Sequence, residues 1–334
     1  MSAPNIPSAN GAAAKRPELS YAQAAALALE REMSADARVV VIGEDVGRGG
    51  IFGQYQGLQQ RFGATRVIDT PISEAAIMGA GVGMALAGLK PVVEMRVVDF
   101  ALCGMDELIN QAAKNRFMFG GQGRVPLVAR LPGGIWDASA AQHSQSLEAW
   151  FAHVPGLVVV CPSTPQDNHG LLRAAVQCGD PVVYIEHKTL WNRRGPVDET
   201  ATVTLGKAAV RRRGNALTMV SWSRQLEACA AACDTLAGES SVEVDLIDLR
   251  TLWPWDRETV LDSSARTGRL LVVHEAVQVA GFGAEIAASA AEATGCRVAR
   301  LGAPRIPVGY SPILEAQARI DASMIVAAAR RLLG

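Results

Sequence analysis

The sequence lacks the cysteine and histidine patterns that bind transition metals. Its six cysteines include no CxxC pair, and its five histidines form no HxxxH or HExxH pattern. Zinc sites depend on such spacings, so we expect no transition-metal site. Cysteines scattered in this way also indicate a reducing compartment.

Long apolar runs and an excess of charge of one sign are absent as well. No run approaches the roughly 18 uncharged residues of a membrane span. The 32 Lys and Arg residues balance 33 Asp and Glu residues, which gives a formal charge of −1. We therefore expect no membrane partner and no nucleic-acid partner. The short basic run Arg211–Arg213 lies beside a glycine and predicts a solvated turn.

The N-terminal residues show no targeting signal. Residues 1–18 lack the apolar core of a signal peptide, and they carry few of the basic residues that a mitochondrial transit peptide needs. We predict a disordered extension over 1–18 and a cytoplasmic location, with a bacterial cytoplasm fitting better than a mitochondrion.

Glycine-rich nucleotide-binding motifs are missing too. Gly79, Gly81 and Gly83 lie in a helical pattern. Their spacing does not match the GxGxxG fingerprint, which needs its third glycine three residues after the second. No GxxxxGK followed by Ser or Thr occurs. Dinucleotide oxidoreduction and P-loop chemistry therefore lose their main support.

Short runs rich in Val and Ile alternate with helical patterns. In the first half of the chain they occupy 38–44, 91–97, 125–130, 157–161 and 181–186. Continuous apolar runs separated by helices are typical of buried parallel strands, so we predict a doubly wound α/β domain over 19–190. Pro, Gly and charged residues then predict a linker over 191–207. Strand and helix patterns resume afterwards and predict a smaller α/β domain over 208–334.

Four separated segments carry the polar residues of greatest interest. They are VIGEDV (41–46), DTPISEAA (69–76), MDELINQAAKNRF (105–117) and AAQHSQSLEAWFAHVPGLVVVCPSTPQD (140–167). Together they resemble the β subunit of the thiamine-diphosphate-dependent 2-oxoacid dehydrogenases, the E1 component of the pyruvate, branched-chain and acetoin complexes. The resemblance covers nearly the whole chain. It implies a pyrimidine-binding α/β domain followed by a transketolase C-terminal-like domain.

Glu74 has two interpretations. It begins a helical pattern in which Ser73 can cap the helix, and the helix dipole favours a carboxylate there. The resemblance implies a catalytic role, because Glu74 matches the glutamate that the family places against N1′ of the cofactor's aminopyrimidine ring. It also implies that Glu44 belongs to a chain of acidic groups linking two active sites. The residues alone leave Glu44 as a structural carboxylate.

The resemblance extends to the expected substrate side of the cofactor. His143 matches a histidine that can exchange protons with the substrate adduct or with a lipoyl thiol. Phe100 matches the aromatic ring beside the aminopyrimidine, without a phenolic hydroxyl. Arg96 stands where branched-chain members place an amide, and it either binds a carboxylate or pairs with an acid such as Glu94. Trp136 either narrows the substrate entrance or packs at a subunit interface.

Two metal ions follow from the resemblance. Relatives hold a structural potassium mostly through backbone oxygens, at positions that correspond here to Leu127, Ala175, Val176, Cys178 and Asp180. Cys178 replaces the usual aspartate. The family binds the cofactor's diphosphate through Mg²⁺ and a GDG motif, which this chain lacks. We therefore expect an α subunit to hold most of the Mg²⁺ site.

These expectations define a function and its alternatives. We predict the β subunit of a pyruvate-type E1 in an α2β2 heterotetramer, which decarboxylates a 2-oxoacid and acylates the lipoyl domain of a dihydrolipoyl acyltransferase (E2). Its E2 partner also docks through a subunit-binding domain. The alternatives are an acetoin dehydrogenase β subunit, a branched-chain β subunit or, in a different class, a non-catalytic assembly subunit. Arg96 and Trp136 favour a small substrate.

Overall fold

The computed structural model describes residues 16–334 of the protein. Residues 1–15 of the predicted disordered extension (1–18) lie outside the described residues. The last residue of that predicted extension, Glu18, begins the first strand. The strands of the N-terminal half are β1 (Glu18–Ser20), β2 (Val39–Gly43), β3 (Val67–Asp69), β4 (Lys90–Glu94), β5 (Val128–Arg130), β6 (Val158–Val160), β7 (Val182–Tyr184) and β8 (Arg194–Pro196). Its helices are α1 (Tyr21–Ala35), α2 (Leu58–Phe62), α3 (Glu74–Leu86), α4 (Ala113–Met118), α5 (Glu148–Ala152) and α6 (Pro165–Gln177).

Six parallel strands form the first sheet, in the order β6-β7-β5-β4-β2-β3. Every residue of β2 is buried, as expected for a strand covered on both faces. Helices α1 and α6 contribute to the core on one face, and α3 contributes to the core on the other. Each of the five predicted apolar runs overlaps one of these strands, and helices cover both faces of the sheet, so the doubly wound arrangement is confirmed.

The C-terminal part forms a second α/β unit. Its strands are β9 (Ala209–Arg212), β10 (Leu217–Ser221), β11 (Val244–Asp248), β12 (Thr251–Trp253), β13 (Arg269–Val277) and β14 (Arg297–Ala303). Its helices are α7 (Gln225–Ser240), α8 (Arg257–Thr267), α9 (Gly283–Thr294), α10 (Pro312–Ala316) and α11 (Ala322–Leu333). Five of the strands form a sheet in the order β14-β13-β10-β11-β9, in which β9 runs antiparallel to β11.

One strand of the C-terminal part joins the first sheet. Strand β12 pairs antiparallel with β6 and extends that sheet to seven strands. Arg250 precedes it with a φ of 60°, and its carbonyl accepts a hydrogen bond from the Cys161 N–H. The side chain of Leu252 is fully buried in the core beside the first sheet. The two units are therefore joined by backbone pairing as well as by side chains.

The basic run Arg211–Arg213 does not form the solvated turn that its sequence predicts. Arg211 and Arg212 end strand β9, and the Arg211 guanidinium pairs with the buried carboxylates of Asp167 and Asp248. The prediction was wrong because both acids come from distant parts of the chain.

None of the helices formed within residues 16–334 combines the length and the hydrophobicity that crossing a bilayer requires.

Candidate active site

A cavity of about 600 Å³ opens at the carboxyl ends of β2, β3 and β4. Strands β2 and β4 are neighbours in the sheet. From β2 the chain continues to β3 on one side of this pair, and from β4 it continues to β5 on the other side. Such a switch point is where open α/β sheets bind ligands. Five residues predicted for catalysis or cofactor contact line this cavity together: Glu44, Glu74, Arg96, Phe100 and His143.

Glu74 is the first residue of α3 and faces the cavity half-buried. Ser73 makes no capping hydrogen bond, because its ψ of 65° departs from the extended conformation of a serine cap. Within residues 16–334 the Glu74 carboxylate has no hydrogen-bond or ion-pair partner. A Cβ on Gly81 would lie 2.4 Å from Val93 Cγ2, so glycine there allows α3 to approach β4 closely.

Glu44 follows the last residue of β2 and lines the same cavity. Burial raises the pKa of the Glu44 carboxyl, and the negative charge of Glu74 raises it further, while Arg96 acts in the opposite direction. Two carboxyl groups therefore interact electrostatically inside one cavity. Such a pair favours keeping a proton on one of its members.

His143 and Phe100 also line the cavity. Phe100 lies in a 3-10 turn that follows β4, and His143 ends a 3-10 turn over Ala141–His143. Their rings meet edge to face, with centroids 5.3 Å apart and an interplanar angle of 82°. This aromatic contact fixes the imidazole against a flat ring that also borders the cavity.

Arg96 pairs with an acid, as one of its two interpretations predicts, but that acid is Asp45 and not Glu94. Arg96 Nη1 donates to Asp45 Oδ2 at 2.6 Å. Strand β4 ends at Glu94 and the chain bends at Arg96, which directs the guanidinium toward the loop after β2. Glu94 instead lies buried and accepts hydrogen bonds from Tyr55 Oη and, at 3.3 Å, from Gln54 Nε2.

Comparison with known proteins gives the family. Residues 17–193 match the transketolase pyrimidine binding domain, and residues 206–325 match the transketolase C-terminal domain. The β subunit of acetoin:2,6-dichlorophenolindophenol oxidoreductase from Cupriavidus necator is 39% identical, over 92% of this chain and 95% of the relative. The 2-oxoisovalerate dehydrogenase subunit beta of Bacillus subtilis is 38% identical, over 94% and 98% of the two chains.

A plant relative is equally similar. The mitochondrial pyruvate dehydrogenase E1 component subunit beta-1 of Arabidopsis thaliana is 39% identical, over 97% of this chain and 92% of the relative. The chain belongs to the E1 β-subunit family. This confirms the family and the fold class predicted from the sequence. A solved split-gene transketolase, described as an inactive beta4 tetramer, has a TM-score of 0.79 and 18% identity over 94% and 98% of the chains, which shows the shared fold.

Trp136 of this E1 β-type chain forms one wall of the cavity. Its ring meets Phe52 edge to face at 5.4 Å, and Phe52 stacks on Trp191 at 4.9 Å with an interplanar angle of 12°. Trp191 is itself buried. Phe52 lines the cavity beside Trp136, and the buried Trp191 supports Phe52. This aromatic packing holds Trp136 in the cavity wall and favours the interpretation that it narrows the entrance.

The residues predicted for potassium lie around the end of α6. The Ala175 carbonyl accepts from the Cys178 N–H at 3.1 Å, and the Leu127 carbonyl accepts from the Val182 N–H at 2.8 Å. Ala175 and Val176 lie in the last turn of α6, and the Asp180 carboxylate pairs with Arg116. Among residues 16–334, no group of three or more His, Cys, Asp or Glu side chains is arranged to hold a metal. A potassium site here therefore relies on backbone carbonyls, and it stays a prediction.

Two residues of the site were missed at the sequence level. Asp45 follows Glu44 in the GEDV segment, lines the cavity and pairs there with Arg96. The sequence did not indicate this pairing. Lys188 lies outside the lining, yet its ammonium donates to the His143 carbonyl. The sequence did contain a signal for Lys188, because this lysine lies between the apolar strand β7 and the apolar pair Leu190–Trp191. Such a position predicts burial, and buried lysines are rare.

Proposed function

We propose that this chain is the β subunit of a pyruvate-type E1 2-oxoacid dehydrogenase. In this role it supplies the aminopyrimidine half of a thiamine diphosphate site for decarboxylation and for reductive acylation of lipoyl groups. The observation that carries the proposal is the convergence of Glu44, Glu74, Phe100 and His143 on one cavity at a switch point of the sheet. The relatives support acetoin and branched-chain alternatives at nearly the same identity.

The lining fits an aminopyrimidine ring. An unpartnered carboxylate at Glu74 matches the ring nitrogen N1′, and the Phe100 ring offers a flat surface to the heterocycle. Thiamine diphosphate, when bound, supplies a carbon nucleophile that attacks the carbonyl of a 2-oxoacid. In our proposal Glu74 shares a proton with N1′, and the neighbouring Glu44 tunes that proton's position by its own charge.

His143 takes the substrate side of the site. A half-buried imidazole held against Phe100 is placed to exchange a proton with the substrate or with a lipoyl thiol. Glu74 and His143 line the cavity together, so one bound molecule can be in reach of both. We assign the carboxylate to the cofactor and the imidazole to the substrate.

We further propose that an α subunit completes the site in an α2β2 heterotetramer. The chain contains no GDG motif. Among the described lining residues the one cation is Arg96, and Asp45 already pairs with it. A diphosphate and its Mg²⁺ need further oxygen and amide ligands, which we assign mainly to the α subunit. The backbone carbonyls near Leu127 and the end of α6 are the proposed ligands of a potassium ion.

The wall formed by Trp136 favours a small substrate. A braced indole and the Arg96–Asp45 pair leave a polar and restricted entrance. We therefore place pyruvate or acetoin ahead of branched 2-oxoacids. Comparing kcat/KM for pyruvate, acetoin and 2-oxoisovalerate on the α2β2 enzyme tests this order, and a preference for 2-oxoisovalerate would reverse it.

The central experiment replaces Glu74 in the enzyme assembled with its α subunit. We expect the β chain alone to show negligible decarboxylation and the co-expressed heterotetramer to be active. In the heterotetramer, Glu74→Gln should lower kcat by about 100-fold or more, since an amide cannot relay the proton.

A matched control separates catalysis from helix stabilisation. Glu258 is also an acid in the first turn of a helix, but it is exposed, lies on α8 of the C-terminal unit and does not line the cavity. Glu258→Gln should leave kcat unchanged, while both variants assemble normally by size-exclusion chromatography. Near-parental kcat in Glu74→Gln would refute the assigned role.

A further inference from the structure

The loop that carries Trp136 and His143 contains backbone strain. Between β5 and α5, Ala138 has a φ of 51° and Ala140 has a φ of 61°. Residues with a Cβ disfavour positive φ by about 1 kcal/mol or more each, so this conformation persists where surrounding groups hold it. The position of His143 therefore depends on contacts from outside the loop.

Buried acids hold both ends of the loop. Glu275 Oε1, on β13, accepts from the Ile135 N–H at 2.7 Å and from Ser146 Oγ at 3.3 Å. The same oxygen lies 2.9 Å from His187 Nε2. Asp99 Oδ1 accepts from Gln145 Nε2 at 2.8 Å. These contacts fix the start and the end of the loop, but none of them reaches His143.

Lys188 supplies the contact at the centre. Its side chain is 2% exposed, and its ammonium donates to the His143 carbonyl. The same nitrogen lies 5.9 Å from the centroid of the Trp136 ring. No carboxylate of residues 16–334 lies within salt-bridge distance of Lys188, although lysines are rarely buried without such a partner. Its contacts are directed to the two loop residues that line the cavity.

Lys188 keeps most of its charge at neutral pH although burial disfavours the charged form. Burial lowers the pKa of the ammonium to about 8, while the carboxylates of Asp99 and Glu275 act to raise it. The imidazoles of His143 and His187 are the other titratable groups nearby. The group is therefore mostly protonated at neutral pH, and an ammonium donates a stronger hydrogen bond to a carbonyl than an amine does.

We propose that Lys188 is a positioning residue that holds the His143 carbonyl and thereby sets the imidazole against Phe100 at the substrate side of the cavity. Lys188 is absent from the cavity lining, so it acts through His143. This inference rests on the proposed function, because it assumes that His143 takes part in the reaction.

The test is a double-mutant cycle in the assembled α2β2 enzyme. The variants are Lys188→Met, His143→Ala and their combination, and Lys90→Met is the matched control. Lys90 pairs with Asp36 at 3.2 Å, at the end of β4 away from the cavity. Three quantities are measured: kcat and KM for the 2-oxoacid, affinity for thiamine diphosphate by quenching of intrinsic fluorescence, and the thermal midpoint.

Positioning through His143 predicts non-additive losses. Lys188→Met should lower kcat by about 10- to 100-fold with little change in cofactor affinity, since small misplacements of a reacting group have effects of that size. In the His143→Ala background, Lys188→Met should lower kcat no further. Lys90→Met should leave kcat unchanged.

Two outcomes would overturn the positioning role. One is an unchanged kcat in Lys188→Met while His143→Ala is strongly impaired. The other is an equal additional loss in the His143→Ala background, which indicates a general structural effect. An unimpaired His143→Ala enzyme would instead refute the proposed role of His143, so the two failures are distinguishable.

Discussion

Burial decides which carboxyl groups near the cavity keep their protons. Glu44 is partly buried beside Glu74, whereas Glu94 is 3% exposed at the end of β4. Burial raises the pKa of Glu94 to about 7, although Arg130 and the Tyr55 hydroxyl act in the opposite direction. A neutral carboxyl therefore lies beneath the site at slightly acidic pH.

This raised pKa makes stability depend on pH in a defined direction. Glu94 binds its proton more tightly in the folded chain than in the unfolded chain, where the pKa of its carboxyl is near 4.5. Its stabilising contribution is thus fully present below about pH 4.5 and is lost as the pH rises through about 7. We expect Glu94→Gln to reduce the fall in thermal midpoint between pH 5 and pH 8. Glu258→Gln is the control, and an unchanged pH dependence in Glu94→Gln would contradict the assignment.

At the scale of elements, a partly exposed arginine paired with two buried carboxylates connects the two α/β units. Arg211 on β9 pairs with Asp167 on α6 and with Asp248 on β11, and both carboxylates are at most 2% exposed. Arg250 also contacts Asp167 at 3.3 Å, and Ser163 Oγ donates to Asp248 at 2.9 Å. Removing Arg211 leaves Asp248 with the serine hydroxyl as its partner among the described residues.

An uncompensated buried carboxylate is strongly destabilising. We expect Arg211→Met to lower the thermal midpoint by roughly 5 °C or more, as loss of one partner of a buried pair costs about 3 kcal/mol. Adding Asp248→Asn should recover much of that loss, because the amide carries no charge. Differential scanning calorimetry of the assembled enzyme measures both. A double variant no more stable than Arg211→Met would show that packing, and not charge, dominates.

Local pattern predicted the elements better than their long-range contacts. The apolar runs located five of the six parallel strands of the first sheet, because those strands are mostly buried, whereas the short and less buried β3 was not located. Strand β12 was missed, since three residues that pair antiparallel with β6 leave little local signal. The cavity residues were expected together, yet the partner of Arg96 and the contact of Lys188 with His143 were not. Both contacts arise from chain bends and packing between distant segments.

At the scale of the whole molecule, apolar side chains lie exposed at two separate places. Ile72 borders the cavity and is 77% exposed, whereas Phe117, on α4 and outside the cavity lining, is 91% exposed. Exposed apolar patches of this kind mark subunit interfaces. They support assembly with an α subunit, whose surface would cover Ile72 at the same time as it completes the cofactor site.

The proposed docking of a basic E2 domain would use exposed acids of this chain, and burial limits which acids are available. Three acids of the C-terminal domain, Glu275, Glu285 and Glu292, are candidates by sequence, but Glu275 is 9% exposed and bound to His187 and to the loop that carries His143. Glu285 and Glu292 lie exposed on α9. We therefore propose these two acids as contacts of a basic subunit-binding domain.

We predict that E2 binding is salt-sensitive and depends on Glu285 and Glu292. Complementary surface charges accelerate association, and salt screens them over about 10 Å at 0.1 M. Titrating the intact heterotetramer with the cognate subunit-binding domain should give a higher Kd at 300 mM than at 50 mM salt. The double change Glu285→Gln and Glu292→Gln should weaken binding at low salt, whereas Glu258→Gln should not. Equal Kd values for the parent and the double variant would place the docking surface elsewhere. Undetectable binding at 50 mM salt, with an active heterotetramer in hand, would instead indicate a decarboxylase that works outside a multienzyme complex.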